Sequence, residues 1–374
     1  MKVAIVHDWL VNYGGGERVV EQMLALYPDA DIYTLVYDKG KMASHFPPEK
    51  VHTSFLQKIP CASKLYTKFL KFMPKAFESF DLSGYDLVLA SSSSCAKGVI
   101  TAPTVPYLAY IHTPMRYAWD LYFAYLKRSG LLTRFFMKRW IPGIRQWDYL
   151  SSQRIDTIIC NSRYIARRIQ KFWHRDAKVI HPPVDTERLT PNGKESEDFY
   201  IVFSRFVSYK RIDVAIQACG ELGRKLIVIG SGSEEKHLKA FAASFAGSSI
   251  TFTGRLPDDK VADFLQRCRA LIFCAEEDFG IIPVEAQACG RPVIAYGKGG
   301  ALETVVDGKT GIFFDGQDSQ SLKEAMLRFE ALAEQGIFKA QDIAAHAQQF
   351  SASRFRTQLK AQIDETVRMI QAKI

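Results

Sequence analysis

A chain of 374 residues is too long for one ordinary hydrophobic core, so two domains of roughly 150–200 residues are expected. With 47% hydrophobic and 24% charged residues, it has the composition of neither a disordered chain nor a fibre. Its net charge of +9 is unevenly placed: residues 1–185 hold 25 Lys/Arg against 15 Asp/Glu, and residues 186–374 hold 24 against 25. An anionic partner would therefore meet the first half, whether a phospholipid surface, a lipid pyrophosphate or nucleic acid.

In chain order, KVAIVHD (2–8) is a strand-like run, with an apolar stretch too short for a secretion signal. Gly14, Gly15 and Gly16 form a turn, and ERVVEQMLALY (17–27) then sets Val19, Val20, Met23, Leu24 and Tyr27 on one helical face. Strand-like runs follow at YDLVLASSSS (85–94), PYLAYIH (106–112), RIDTIICNS (154–162) and AKVIHPPVD (177–185). His181-Pro182-Pro183 stops regular structure, and TPNGKESED (190–198) has the polar, turn-rich character of a linker. Domains of 1–185 and 186–350 and a helical tail of 351–374 are expected.

The second half alternates regularly. Strand runs at 200–206, 225–232, 249–256, 270–275 and 291–297 are separated by helical spacing at 211–222, 234–246, 259–268 and 283–290. Such alternation predicts an α/β fold with a parallel sheet covered on both faces. Seven cysteines, at 61, 95, 160, 219, 268, 274 and 289, show neither zinc-like nor redox-like spacing and read as reduced thiols of a cytoplasmic protein. No stretch approaches the roughly 18–20 apolar residues that span a bilayer.

Four constellations carry candidate chemistry. Glu277 and Glu285 bracket the turn into the helix at 283–290, where the amides near Phe279, Gly280 and Ile281 attract phosphate while the carboxylates accept from hydroxyls; the plain alternative is a surface acid and a satisfied core glutamate. Arg205 ends a strand and Lys210 opens the next helix, so both face the carboxyl ends of the sheet, where open α/β sheets bind ligands. Arginine can grip a diphosphate through two N–H groups while lysine acts as a point charge; a solvated loop pair is the alternative. The glycines at 14–16 permit close approach of a phosphate or sugar, although Glu17 beside them would repel a phosphate, and a plain tight turn is the alternative. His112 ends a strand, with Arg116 and Asp120 near it in YIHTPMRYAWD, a polar loop cluster that suits a site; a satisfied structural histidine is the alternative.

Taken together, GGGER (14–18), SRFVSYKR (204–211), GSGSE (230–234), FTGRL (252–256), EDFGIIPVEAQACGRPVIA (277–295), GGALE (299–303) and DGKTG (307–311) resemble the retaining glycosyltransferases of family 4. HDWLVNYGGGERV and YIHTPMRYAWD further resemble the bacterial O-antigen mannosyltransferase branch. The resemblance implies the GT-B fold: two Rossmann-like domains facing each other across a cleft, with the C-terminal helix returning to the N-terminal domain. It also implies roles. Arg205 and Lys210 would hold the donor diphosphate, and Glu285 the ribose. Glu277 and the amides of Phe279, Gly280 and Ile281 would hold the transferred sugar. Arg255 and Leu256 would meet the base, and Gly15 and Gly16 the diphosphate. His112 would contact the sugar near the reacting carbon. Asp8 and Arg116 are assigned to the acceptor side. Where the family often has Glu-Gly-Phe-Gly, this chain has Asp278 in the second position.

The implied reaction is retaining transfer of a hexose, mannose from GDP-mannose, to a lipid-linked or polysaccharide glycan. Arg205 and Lys210 would carry the charge of the leaving diphosphate, so neither cofactor nor metal is expected, with Glu276, Glu277 and Asp278 the alternative as a Mg²⁺ site. A UDP-sugar donor, or a sugar-nucleotide epimerase of the same architecture, is the alternative function. The basic stretches 58–80 and 121–147 mix Lys/Arg with aromatic residues, and suit either peripheral contact with the inner face of an anionic membrane or a core-packing face with a solvated rim. No recognised nucleic-acid-binding module is present, and nucleic acid is not an expected partner.

Overall fold

Short β-branched runs followed by amphipathic segments give two parallel sheets. The computed structural model describes residues 1–372 apart from Ala246 and Ser248, so the end of the helical run 234–246 and the last two residues of the tail 351–374 lie outside the described residues. The chain divides into two compact units, residues 1–183 with 353–374, and residues 184–352.

The first unit holds seven parallel strands: β1 (Val3–His7), β2 (Asp31–Thr34), β3 (Val51–Thr53), β4 (Leu87–Ser92), β5 (Tyr107–Ile111), β6 (Thr157–Cys160) and β7 (Lys178–Val179), in the order β3-β2-β1-β4-β5-β6-β7. The strand order reverses direction between β1 and β4, which pair His7 with Ser91 at their carboxyl ends. β1, β4 and β5 are buried throughout, as strands covered on both faces must be. One face packs against α1 (Gly15–Leu26) through Val19, Val20 and Met23, and against Phe355, Leu359 and Ile363 of the C-terminal helix Ala352–Gln371. The other face carries α2 (Met73–Glu78), α3 (Leu131–Ser152) and α4 (Arg163–Trp173), through residues such as Met73, Phe77, Ile144 and Trp173.

A buried ion pair ties this second face together. Lys97 Nζ lies 2.6 Å from Asp148 Oδ1, and Asp148 Oδ2 accepts from the indoles of Trp119 and Trp173, each at 2.7 Å. With its acceptors occupied, the carboxylate avoids the cost of an unpaired buried charge.

The basic stretch 58–80 is broken into several elements: short turns at Ala62–Leu65 and Tyr66–Phe69 and then α2, with Pro74 in the first turn of α2, where its missing N–H costs nothing. Ala62, Met73, Ala76 and Phe77 face the core, while Lys64, Lys68, Lys71 and Lys75 lie at the surface.

The second unit contains β8 (Tyr200–Phe203), β9 (Leu226–Ile229), β10 (Ile250–Gly254), β11 (Ala270–Phe273), β12 (Val293–Tyr296) and β13 (Gly311–Phe314), in the order β10-β9-β8-β11-β12-β13, all parallel. Here the reversal falls between β8 and β11. α5 (Ile212–Leu222) stops at Gly223, which adopts φ +65°, the left-handed cap glycine tolerates best. α6 (Ile281–Ala288) follows β11. The polar stretch 190–198 lies inside this unit, where Glu197 pairs with Arg267 at 2.6 Å. β2, β3 and β13 are absent from the strand runs legible in the sequence: β2 and β3 carry polar residues, and β13 begins at the last residue of the turn-rich DGKTG segment.

Candidate active site

In the second unit the candidate groups gather at the carboxyl ends of β8 and β11, the point where strand order reverses and where open α/β sheets bind ligands. Arg205 follows β8 and is exposed; among the described residues its guanidinium has no partner. Lys210, in the turn before α5, forms an ion pair with Glu277, in the loop after β11, so two of the four charged residues singled out in sequence are in contact.

That loop is held by glycines. A Cβ on Gly300 would stand 2.2 Å from Phe279 Cα, and one on Gly299 2.4 Å from the Glu277 carbonyl oxygen, so only hydrogen fits. The Gly300 N–H donates to the Glu277 carbonyl at 2.8 Å. Gly230 and Gly232 do the same for the Arg205 turn: their Cβ atoms would lie 1.9 Å from the Ser204 carbonyl and 2.3 Å from the Phe206 carbonyl. The Gly-Ser-Gly run is thus a packing device for Arg205.

α6 begins at Gly280, with φ +86° and no side-chain cap, so the first-turn amides of Ile281 and Ile282 have no intrahelical acceptor. Phe279 is buried and anchors the turn against Phe350. Glu285 is buried on the second turn of α6. Arg255 and Leu256 follow β10 at the sheet edge, two strands away from β8; Arg255 is exposed and Leu256 packs partly on the core.

In the first unit the ends of β1, β4 and β5 bring together residues far apart in sequence. His7 Nδ1 lies 3.1 Å from the Ser91 carbonyl oxygen and 3.2 Å from Ser91 Oγ; its Nε2 faces Glu17 Oε1 at 3.4 Å. Ser91 Oγ is 2.8 Å from His112 Nε2. Gly16 overlies both rings: its Cβ would lie 3.4 Å from His7 Cε1 and 3.6 Å from His112 Nε2. Burial works against charging His7, but the Glu17 hydrogen bond and charge, with that of Asp8, outweigh it and raise its pKa. Burial, aided by the charge of His7, lowers the His112 pKa to about 4.

Asp8 is 1% exposed, and its carboxylate accepts from the backbone amides of Ser93, Ser94, Cys95 and Ala96 at 2.6–2.9 Å. The turn after β4 thus occupies the carboxylate oxygens of Asp8, the residue expected on the acceptor side. Arg116 sits in the partly buried loop after β5, where Asp120 pairs with Arg168 of α4 at 2.5 Å. His7, Ser91 and Arg168 are not singled out by sequence reasoning; the available signal is a His and a Ser at the carboxyl ends of adjacent strand runs.

Among the described residues no group of three or more His, Cys, Asp or Glu is arranged to hold a metal ion. Asp29 and Asp31 have Asp-x-Asp spacing, but Asp31 accepts from Tyr85 at 2.6 Å and opens β2, at the end of the sheet away from His7.

Two sequence families together span residues 13–347: one described as Glycosyltransferase Family 4 matches 13–188, and one described as Glycosyl transferases group 1 matches 185–347. Each half of the chain thus matches a glycosyltransferase family model, which supports a family 4 glycosyltransferase. An uncharacterized glycosyltransferase of Methanocaldococcus jannaschii is 26% identical, over 87% of this chain and 88% of that one. A GDP-mannose-dependent α-(1-6)-phosphatidylinositol monomannoside mannosyltransferase of Mycolicibacterium smegmatis is 32% identical, over 46% of this chain and 52% of that one. Among solved structures, Anabaena HepE in complex with UDP superposes with a TM-score of 0.72 over 98% of this chain and 100% of that one, at 19% identity, a likeness of fold. The two Rossmann-like units of this chain match the fold of GT-B glycosyltransferase structures. No helix among its described residues is long and apolar enough to cross a membrane.

Proposed function

We propose that the enzyme is a retaining mannosyltransferase that uses GDP-mannose, without a metal, to extend a lipid-linked or polysaccharide glycan in bacterial surface polysaccharide synthesis. The observation that carries this reading is the Lys210–Glu277 pair beside the uncapped start of α6. It sets a cation suited to a diphosphate against a carboxylate suited to sugar hydroxyls, at the ends of the two central strands. The choice of donor is supported by the relative whose name specifies GDP-mannose.

In this proposal Arg205, Lys210 and the amides of Phe279, Gly280 and Ile281 carry the charge of the departing diphosphate and orient the sugar. The anomeric carbon–phosphate oxygen bond breaks, the acceptor oxygen bonds to the same face of that carbon, and the acceptor proton passes to a phosphate oxygen. Glu277 accepts from the hydroxyls of the transferred sugar and Glu285 from those of the ribose. Arg255 and Leu256 lie by the base.

Contact with the inner face of an anionic membrane is part of the same proposal. Phe123, Leu131, Leu132 and Phe135 are 64–84% exposed, and Lys127, Lys138 and Arg139 stand exposed among them. That combination suits an anionic lipid surface.

The test is a donor panel with EDTA present. GDP should raise the Tm more than UDP, and mannose should pass from GDP-mannose to a lipid-linked glycan with its anomeric configuration kept. Preference for UDP, or activity abolished by EDTA and restored by Mg²⁺, overturns the corresponding part.

A further inference from the structure

Of the linked residues Glu17, His7, Ser91 and His112, only His112 carries a role in the family resemblance, contact with the transferred sugar near the reacting carbon, and the catalytic meaning of their arrangement rests on the proposed glycosyl transfer. We propose that Glu17, His7 and Ser91 are positioning residues that fix His112 as a neutral imidazole with its single ring proton on Nδ1.

Donors and acceptors decide the tautomer. His7 Nδ1 faces a carbonyl oxygen at 3.1 Å and His7 Nε2 a carboxylate at 3.4 Å. Both partners only accept, so both nitrogens carry protons and His7 is an imidazolium paired with Glu17. The Ser91 hydroxyl, fully buried, has two neighbours: His7 Nδ1 at 3.2 Å, which donates, and His112 Nε2 at 2.8 Å. Its own proton therefore goes to His112 Nε2. Were Nε2 to carry the proton instead, the hydroxyl hydrogen would be left without an acceptor among the described residues, at the cost of an unmade buried hydrogen bond. A second proton on His112 would set a cation beside the His7 cation. The remaining charge near both rings, Asp8, is bound by four backbone amides, and the edge of Tyr110 covers His112 with ring centroids 5.2 Å apart.

This protonation pattern has two consequences. His112 acts as a hydrogen-bond donor through Nδ1, and with its Nε2 lone pair taken by the Ser91 hydroxyl it does not accept the acceptor's proton, which leaves the diphosphate as the base. The Glu17 charge, which in sequence stands against phosphate at Gly14–Gly16, is cancelled by His7, so the glycine turn is electrostatically neutral.

The test is the histidine ring ¹⁵N–¹H two-bond spectrum of the ligand-free enzyme at pH 7, with His7→Gln and His112→Gln assigning the signals by their loss. The expected pattern is the Nδ1–H neutral form for His112 and the doubly protonated form for His7. Ser91→Ala should convert His112 toward the Nε2–H form, keep His7 charged, and lower kcat about tenfold with the donor KM little changed. Glu17→Gln should neutralise His7. An Nε2–H or cationic His112, a neutral His7, or a His112 tautomer indifferent to Ser91→Ala overturns the proposal. The spectrum needs no donor, so an error in the assigned sugar leaves it standing, and its failure leaves glycosyl transfer standing.

Discussion

In the first unit the polar groups at the strand ends are closed over: His7, Asp8 and Ser91 are at most 4% exposed and face protein partners. In the second unit Arg205 is exposed and Lys210 and Glu277 hold each other. One set is organised in advance, with its charges cancelled locally. The other is held by an ion pair whose partners are both of the kind a nucleotide-sugar would take over. On the proposed function, a ligand entering the second unit exchanges one charge partner for another.

Substitutions can break this contrast. The largest expected effect is on stability: Asp8→Ala leaves four backbone amides without their acceptor and should cost about 4 kcal/mol. Denaturant unfolding measures it, and a loss below about 1 kcal/mol would show that the turn satisfies itself in another way. Next, Lys210→Ala or Arg205→Ala should lower kcat by roughly 10²–10³ with the fold intact; near-normal turnover in a donor-hydrolysis or transfer assay removes them from the site.

Glycine substitutions should separate packing from function. Gly300→Ala forces the backbone of the Glu277–Phe279 loop to move and should destabilise by about 3 kcal/mol, whereas Gly16→Ala, with its nearest contact at 3.4 Å, should cost under about 1 kcal/mol. Equal costs would mean that the two loops are equally yielding. The dependence on pH tests the first unit alone. Because the folded His112 pKa of about 4 lies below its unfolded value, the unfolded chain binds the extra proton first, and stability should fall as pH drops from about 6.5 toward 4. The raised pKa of His7 acts in the opposite sense: its contribution is complete below the unfolded value and is lost as pH rises through the folded one. His112→Gln should flatten the acid limb, as followed by Tm against pH.

The alternation of strand and helix runs is plain in the second half because each strand run, such as ALIF in β11 or VIAY in β12, ends at a glycine or charged turn. Arg205, Lys210, Glu277 and Glu285 are legible for the same reason: they fall at the ends of readable elements. The linked histidines of the first unit are less so. His7 and Ser91 stand 84 residues apart and meet only because β1 and β4 are neighbours in the sheet, a pairing that depends on strand order. The significance of Glu17 inverts for the same reason, since its counter-charge comes from another element. Lys64, Lys68, Lys71 and Lys75 follow helical spacing, yet they sit on separate short turns whose apolar residues seek the core independently.

The return of the last helix bears on how the molecule is made. The first unit needs Phe355, Leu359 and Ile363 to cover one side of its sheet, and these follow the whole of the second unit in the chain. The second unit, contiguous from 184 to 352, has its whole sequence available before the first does. A chain cut after Pro183 would expose bare aliphatic surface around Ile5, Val19 and Leu89, so separate expression of this half calls for the terminal helix to be supplied as a peptide or fused back through a linker.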